Sequence, residues 1–393
     1  MGVPADHMTK HLLELVKLSN QRVENQDPFC FWQVDGHKLD NKHLVLWYEK
    51  TYSATADFVF RDYDLLKTNL QNTKIDLDHD YNLEFLKHLR SKCGNVKLMY
   101  SGGTDSATIL DMANRHDIAL DEVITVVMQD INLPSNTELK NIALPGVEKY
   151  KRVIRKYSQL EYTFEDVGNH FDDDYAVFSS PCDTEFPVGF AAAKYTAFKK
   201  YHKQTGTCII SGIDKPAIVY YNGEWYAFCL DGAVAWGDQS IPNLVPFYLD
   251  AENIKGFVRD CQLFRNYLLE EKMVTNDFLQ FFQPNQTTEH CRMLRRLEIE
   301  GLHHQFFNGH VQHNEKSQLR VKGCLGQNKF TTLIKYFRAL ETFYEIFPEA
   351  KTNTGLHKYN NNGKFAWFVN IDSLEVHTQK ELIPHGFVKK QIK

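Results

Sequence analysis

Apolar residues recur along the chain with two different periods, and the switches between them predict its elements. Leu12, Leu13, Leu15, Val16 and Leu18 follow helical spacing, so Lys10–Leu18 is expected to form an amphipathic helix. The runs Leu44-Val45-Leu46-Trp47-Tyr48 and Asp57-Phe58-Val59-Phe60 read as strands. Asn82–Arg90 carries Leu83, Phe85, Leu86 and Leu89 on one helical face. Together these elements predict a small N-terminal α+β region over residues 1–92.

From 93 to 270 the pattern alternates. Val96–Tyr100 predicts a first strand, Ser106–Arg115 a helix, and the continuous run Glu122–Met128 a strand covered on both faces. Val147–Tyr157 reads as a basic helix, Glu161–Glu165 as a third strand, Gly189–His202 as an Ala-rich helix and Thr207–Ser211 as a fourth strand. This repeated order predicts an α/β domain with a doubly wound, mainly parallel sheet and ligands at the strand C-terminal ends. Asn222-Gly223 between aromatic strands predicts a tight hairpin over Ile218–Phe228. Residues 271–393 read as mainly helical, through Asn276–Phe282, Thr288–Glu300 and Phe330–Phe347 after the helix Val258–Lys272, with a short strand pair near Phe365–Ile371.

Composition narrows the setting. A chain of 393 residues exceeds one small core and suggests several lobes. Its net charge of −5 does not indicate a nucleic-acid partner. Cys30, Cys93, Cys182, Cys208, Cys229, Cys261, Cys291 and Cys324 include no Cys-x-x-Cys pair, which fits reduced thiols in a cytoplasmic protein. No apolar run approaches membrane-spanning length and no signal-peptide pattern opens the chain, so no membrane partner is expected.

The candidate chemistry centres on Ser101-Gly102-Gly103-Thr104-Asp105-Ser106, between the first predicted strand and its helix. Two glycines remove the Cβ atoms that keep an oxyanion from backbone N–H groups, and a helix start adds donors and a positive dipole. Ser101, Thr104 and Ser106 add hydroxyls. Neither Gly-x-x-x-x-Gly-Lys-Ser/Thr nor Gly-x-Gly-x-x-Gly is present here. A second segment, Ser211-Gly212-Ile213-Asp214-Lys215-Pro216, ends the fourth predicted strand. Gly212 would admit a ligand to the backbone, Asp214 would hold Mg²⁺ and Lys215 would neutralise pyrophosphate. A third, Ser180-Pro181-Cys182-Asp183-Thr184, precedes the Ala-rich helix and reads either as a cap or as a ligand-facing loop.

Ser-Gly-Gly-x-Asp-Ser after a strand resembles the PP-loop of the N-type ATP pyrophosphatases, which split ATP between its α and β phosphates. With the segments around Asp183 and Gly212, residues 93–270 resemble the synthetase domain of asparagine synthetase and its β-lactam synthetase relatives, in a stand-alone form similar to proteins of tailed phages. The resemblance implies ATP and Mg²⁺ as cofactors. It places pyrophosphate on Ser101, Gly102, Gly103, Asp105 and Ser106, with Asp105 sharing Mg²⁺. Adenine would lie on the backbone of Val127 and Met128, and Asp183 and Thr184 beside the nucleotide. Asp214 corresponds only approximately to the family's second acid, and Lys215 stands where the family has Glu. Gly2 follows Met1 where a glutaminase would carry its cysteine, so ammonia or another amine is expected from outside.

The expected function is an ATP-dependent, AMP-forming ligase or amidotransferase-like synthetase with Asp105, Asp214 and Lys215 as catalytic residues and an acceptor the sequence does not specify. Alternatives are a degenerate PP-loop protein that binds a nucleotide in a structural or regulatory role, or a nucleobase- or tRNA-modifying PP-loop enzyme. Thiolation enzymes carry Cys-x-x-Cys pairs and deazaguanine-nitrile synthases a clustered-cysteine zinc site, and both are absent here. Further along, His310-x-x-His313 is a weak metal pattern and Arg292, Arg295, Arg296, Lys316, Arg320 and Lys322 a basic zone. Tyr220, Tyr221, Trp225, Tyr226 and Phe228 on the hairpin fit packing better than base stacking.

Overall fold

The computed structural model describes residues 5–128, 139, 143–162, 204–212, 216–230, 243–270, 279, 282–283, 345–347 and 365–384. The expected helices Gly189–His202 and Thr288–Glu300, and nearly all of Asn276–Phe282 and Phe330–Phe347, lie outside these residues.

The N-terminal helix α1 (Ala5–Gln26) buries Leu12, Leu15, Val16, Ser19 and Val23, a helical stripe. It packs on a three-stranded antiparallel sheet of β1 (Cys30–Val34), β2 (His37–Leu39) and β3 (Asp57–Phe60), in the order β2-β1-β3. Asp35 and Gly36 turn the β1–β2 hairpin with positive φ at both positions. Between β2 and β3 the expected strand Leu44–Tyr48 is instead part of helix α2 (Lys42–Tyr52). Asn41 is the reason: its side chain accepts from the His43 and Leu44 amides and so caps the first turn. Helices α3 (Tyr63–Leu70) and α4 (Tyr81–Lys92) follow, and Asp80 caps α4 through the Leu83 amide.

Five parallel strands form the central sheet: β4 (Asn95–Met99), β5 (Glu122–Met128), β6 (Tyr157–Tyr162), β7 (Thr207–Ser211) and β10 (Leu244–Pro246), in the order β10-β7-β4-β5-β6. Alternate residues serve opposite faces. Val96, Leu98, Val123, Cys208 and Ile210 enter the main core, while Met99, Ile124, Leu160 and Ile209 form a separate cluster. The second face also holds a buried ion pair, Lys97 Nζ to Glu122 Oε2 at 2.7 Å. Helix α5 (Thr104–Arg115) joins β4 to β5. The expected basic helix Val147–Tyr157 is shorter and earlier: α6 (Leu144–Lys149), a 3-10 turn Lys151–Val153, then β6. The third strand accordingly starts at Tyr157, because its backbone pairs with β5 from Val123↔Tyr157 to Met128↔Tyr162.

The hairpin of β8 (Ile218–Tyr221) and β9 (Glu224–Leu230) turns on Asn222 (φ 52°) and Gly223 (φ 90°), as expected of Asn-Gly. It belongs to a third sheet, β12-β11-β9-β8, in which β11 (Phe365–Asn370) pairs antiparallel with β9, and β12 (Val376–His377) with β11. Helix α7 (Ile254–Glu270) packs against α3, α4 and β9. The short helix α8 (Gln379–Leu382) begins on a Thr378–Glu381 capping box. One contiguous apolar core runs from Leu12 to Ile383 and includes Trp32, Phe257 and Trp367.

Candidate functional site

Strand β4 runs out at Met99, and the next four residues turn the chain into α5. Tyr100 is still tied to β5: its amide donates to Ile124 O at 2.8 Å, and its carbonyl accepts from Thr125 Oγ1 at 2.8 Å. Gly102 has φ 76°, a left-handed conformation that a Cβ disfavours. Gly103 is the N-cap of α5, so no side chain caps its first turn. The loop is held by its own hydroxyls. Ser106 Oγ accepts from the Ser101 amide at 3.3 Å and donates to Gly103 O at 3.3 Å, while Ser101 Oγ accepts from the Gly103 amide at 3.2 Å. Ser106 Oγ thus braces the turn to which the sequence assigns a phosphate-binding role.

Two neighbouring strand ends close on the start of α5. Met99 and Ser211 are register partners, as are Ser211 and Pro246, so the loops after β4, β7 and β10 leave the sheet side by side. Gly212 lies against α5, where a Cβ would stand 2.9 Å from Ser106 N and 3.0 Å from Asp105 C. Glycine at 212 is thus required by the packing of the β7 end on α5. From the β10 side, Tyr248 Oη donates to Asp105 O at 3.1 Å. Burial, and then the Asp105 and Asp260 carboxylates, push the Tyr248 phenol well above its ordinary range. On the other flank β5 outruns β4, whose last pairing is Met99↔Ile124. Val127 and Met128 therefore continue past the glycine turn without a β4 partner.

The strand order decides where this lies. From β4 the chain adds β5 and β6 on one side, then returns to add β7 and β10 on the other. The glycine turn and Gly212 sit at the C-terminal ends of the two strands that flank this reversal, where α/β sheets open a crevice for ligands. A left-handed glycine, a helix start without a cap side chain and one carboxylate in the first turn form a donor set that fits a phosphate group with Mg²⁺, which ordinarily takes one or two carboxylates plus phosphate oxygens.

The structure brings together Ser101, Gly102, Gly103, Asp105, Ser106 and Gly212, with the backbone of Thr104 at the first position of α5. Asp183, Thr184, Ile213, Asp214 and Lys215 lie outside the described residues, as do His310, His313 and the basic zone of Arg292–Lys322. Sequence reasoning missed Tyr248 and Thr125. The signal for Tyr248 was the apolar run Leu244-Val245-Pro246-Phe247-Tyr248-Leu249, a fifth strand end after Ser211. Among the described residues, no three His, Cys, Asp or Glu side chains gather as a metal-binding group. No described helix is long and apolar enough to cross a membrane. The chain matches no protein-family model and aligns significantly with no curated protein.

Proposed function

We propose that this chain is an ATP-dependent, AMP-forming ligase of the PP-loop type, built on a doubly wound sheet. The observation that supports it is the position of the Ser101–Ser106 turn: a phosphate-fitting helix start lies at the strand-order reversal between β4 and β7. In this reading the Gly102 amide and the amides of the first α5 residues, with the hydroxyls of Ser101 and Thr104, hold the pyrophosphate end of ATP. The edge of β5 at Val127 and Met128 takes adenine, and Asp183 and Thr184 flank the nucleotide. Asp105 and Asp214 hold Mg²⁺, which when bound neutralises phosphate charge.

Attack of a substrate oxygen on the α-phosphorus places negative charge on the departing pyrophosphate. In this reading the α5 dipole and the first-turn amides stabilise that charge, Lys215 supplies a further positive charge, and no side-chain nucleophile is required. An amine then displaces AMP. The test is pyrophosphate and AMP release from Mg–ATP across carboxylate and amine panels. Turnover that falls about 100-fold or more in Asp105→Ala is expected. Tight ATP binding with neither product, in any panel, would leave a nucleotide-binding protein and refute the ligase.

A further inference from the structure

We infer that Tyr248 is a positioning residue that fixes Asp105, and with it the first turn of α5, for the phosphate chemistry; this rests on the reading of the Ser101–Ser106 turn given above. Tyr248 is 3% exposed, and its hydroxyl donates to Asp105 O at 3.1 Å. The phenol comes from a stiff mount. Phe247 N donates to Ser211 O at 2.9 Å, so the residue before Tyr248 is fastened to the end of β7. The next turn closes through the Leu249 and Asp250 amides, both on Pro246 O at 2.8 Å. Phe247 and Tyr248 also pack edge to face, with ring centroids 5.2 Å apart.

Asp105 O is a first-turn carbonyl whose helical partner lies four residues ahead, so the phenol occupies its remaining acceptor capacity. That bond adds little to helix formation and much to helix placement: it ties the turn to a different strand from the one that precedes it. Gly212 meets the same turn from the end of β7, where an added Cβ would stand 2.9 Å from Ser106 N. The first turn of α5 is therefore gripped from two strand ends. Rotation or withdrawal of the turn would carry the Asp105 carboxylate with it. Removing the Tyr248 hydroxyl releases one grip and leaves the ring in place.

The test compares Tyr248→Phe with Tyr226→Phe in the full chain. Tyr226 is a remote control that loses the same group, a phenol bonded to Glu224 Oε2 at 2.7 Å in the antiparallel sheet. Two quantities are read: amide hydrogen exchange across residues 104–109 without nucleotide, and calorimetric affinity for Mg–ATP. Tyr248→Phe is expected to speed exchange of those amides and weaken Mg–ATP binding by about 3- to 10-fold, the span of one buried hydrogen bond. Tyr226→Phe is expected to change neither. Unchanged exchange and affinity in Tyr248→Phe would overturn the inference. So would a loss of affinity no larger than the unfolded fraction measured by thermal melting explains. If the wild-type chain binds no Mg–ATP, the ATP reading falls separately, and the exchange comparison alone decides whether Tyr248 holds the turn.

Discussion

Gly212 and Ser106 approach so closely that a single methyl group would not fit between them: the nearest atoms to an added Cβ are backbone, at 2.9 Å from Ser106 N and 3.2 Å from Ser106 Cα. Backbone does not swing aside as a flexible side chain does. Gly212→Ala is expected to cost about 1–3 kcal/mol through forced displacement of α5 or of the β7 end. A melting temperature equal to wild type would show that the two segments have slack.

The Lys97–Glu122 pair gives a pH signature. Burial raises the Glu122 carboxyl, but Lys97 Nζ at 2.7 Å, Ser158 Oγ at 2.6 Å and Lys156 Nζ at 3.0 Å outweigh it and bring the group to about 2. A carboxyl lowered in the fold stabilises above its unfolded value near 4.5, and that contribution is lost as pH falls toward 2. The difference in unfolding free energy between wild type and Glu122→Gln should therefore shrink across this window. At neutral pH, Lys97→Met alone is expected to destabilise by about 3 kcal/mol, and Lys97→Met with Glu122→Leu by much less, because the double change leaves no buried charge behind. Chemical denaturation of the two variants checks the order.

His43 acts in a higher pH range. It is fully buried in α2, and burial, then the neighbouring Lys42 charge, lower it from 6.5 to about 3. A neutral imidazole is thus favoured by the fold. Its contribution is complete above pH 6.5 and is lost as pH falls from there toward 3, at about 1.4 kcal/mol per pH unit. His43→Gln is expected to remove this slope between pH 6 and 4.5 relative to wild type. Parallel stability curves for the two proteins would refute it.

The cap of α2 explains why Leu44–Tyr48 folds as helix. Asn41→Ala should cost about 1 kcal/mol by releasing the His43 and Leu44 amides, held at 3.0 and 3.2 Å. A denaturant midpoint lowered by the corresponding amount at unchanged m-value checks it. Leu44–Tyr48 misleads as sequence because a short, fully apolar run carries neither period. Lys42 to Trp47 are all buried, so no polar face marks the helix. Only Asn41, one residue before α2, reveals it.

The parallel strands were easier. Val96, Leu98, Val123 and Ile210 are buried on one face and Met99, Ile124 and Ile209 on the other, which makes continuous apolar runs inevitable. The strand expected at Glu161–Glu165 shares Glu161 and Tyr162 with β6 and otherwise lies outside the described residues; its start at Tyr157 is hidden because Leu160 is buried while Gln159 and Glu161 stay exposed. The glycine turn is legible from local chemistry, since two adjacent glycines after an apolar strand admit the left-handed backbone that Gly102 adopts. The partners of that turn are not. Tyr248 meets Asp105 through tertiary packing of strand β10, and nothing local to Tyr248 announces a carbonyl so distant in sequence.

Strand β11 sets a clock for synthesis. On the ribosome β9 emerges with β8 beside it, while its other edge, pairing Tyr226↔Asn370 to Leu230↔Phe365, waits for residues made much later. The glycine turn and all five parallel strands are translated before that edge can close. A nascent chain stopped before residue 365 would hold the whole phosphate-fitting turn and yet present Ala227 to Leu230 as an unpaired apolar margin, a template for joining to another chain. The margin of β9 is therefore covered only when β11 is made, long after the glycine turn has left the ribosome.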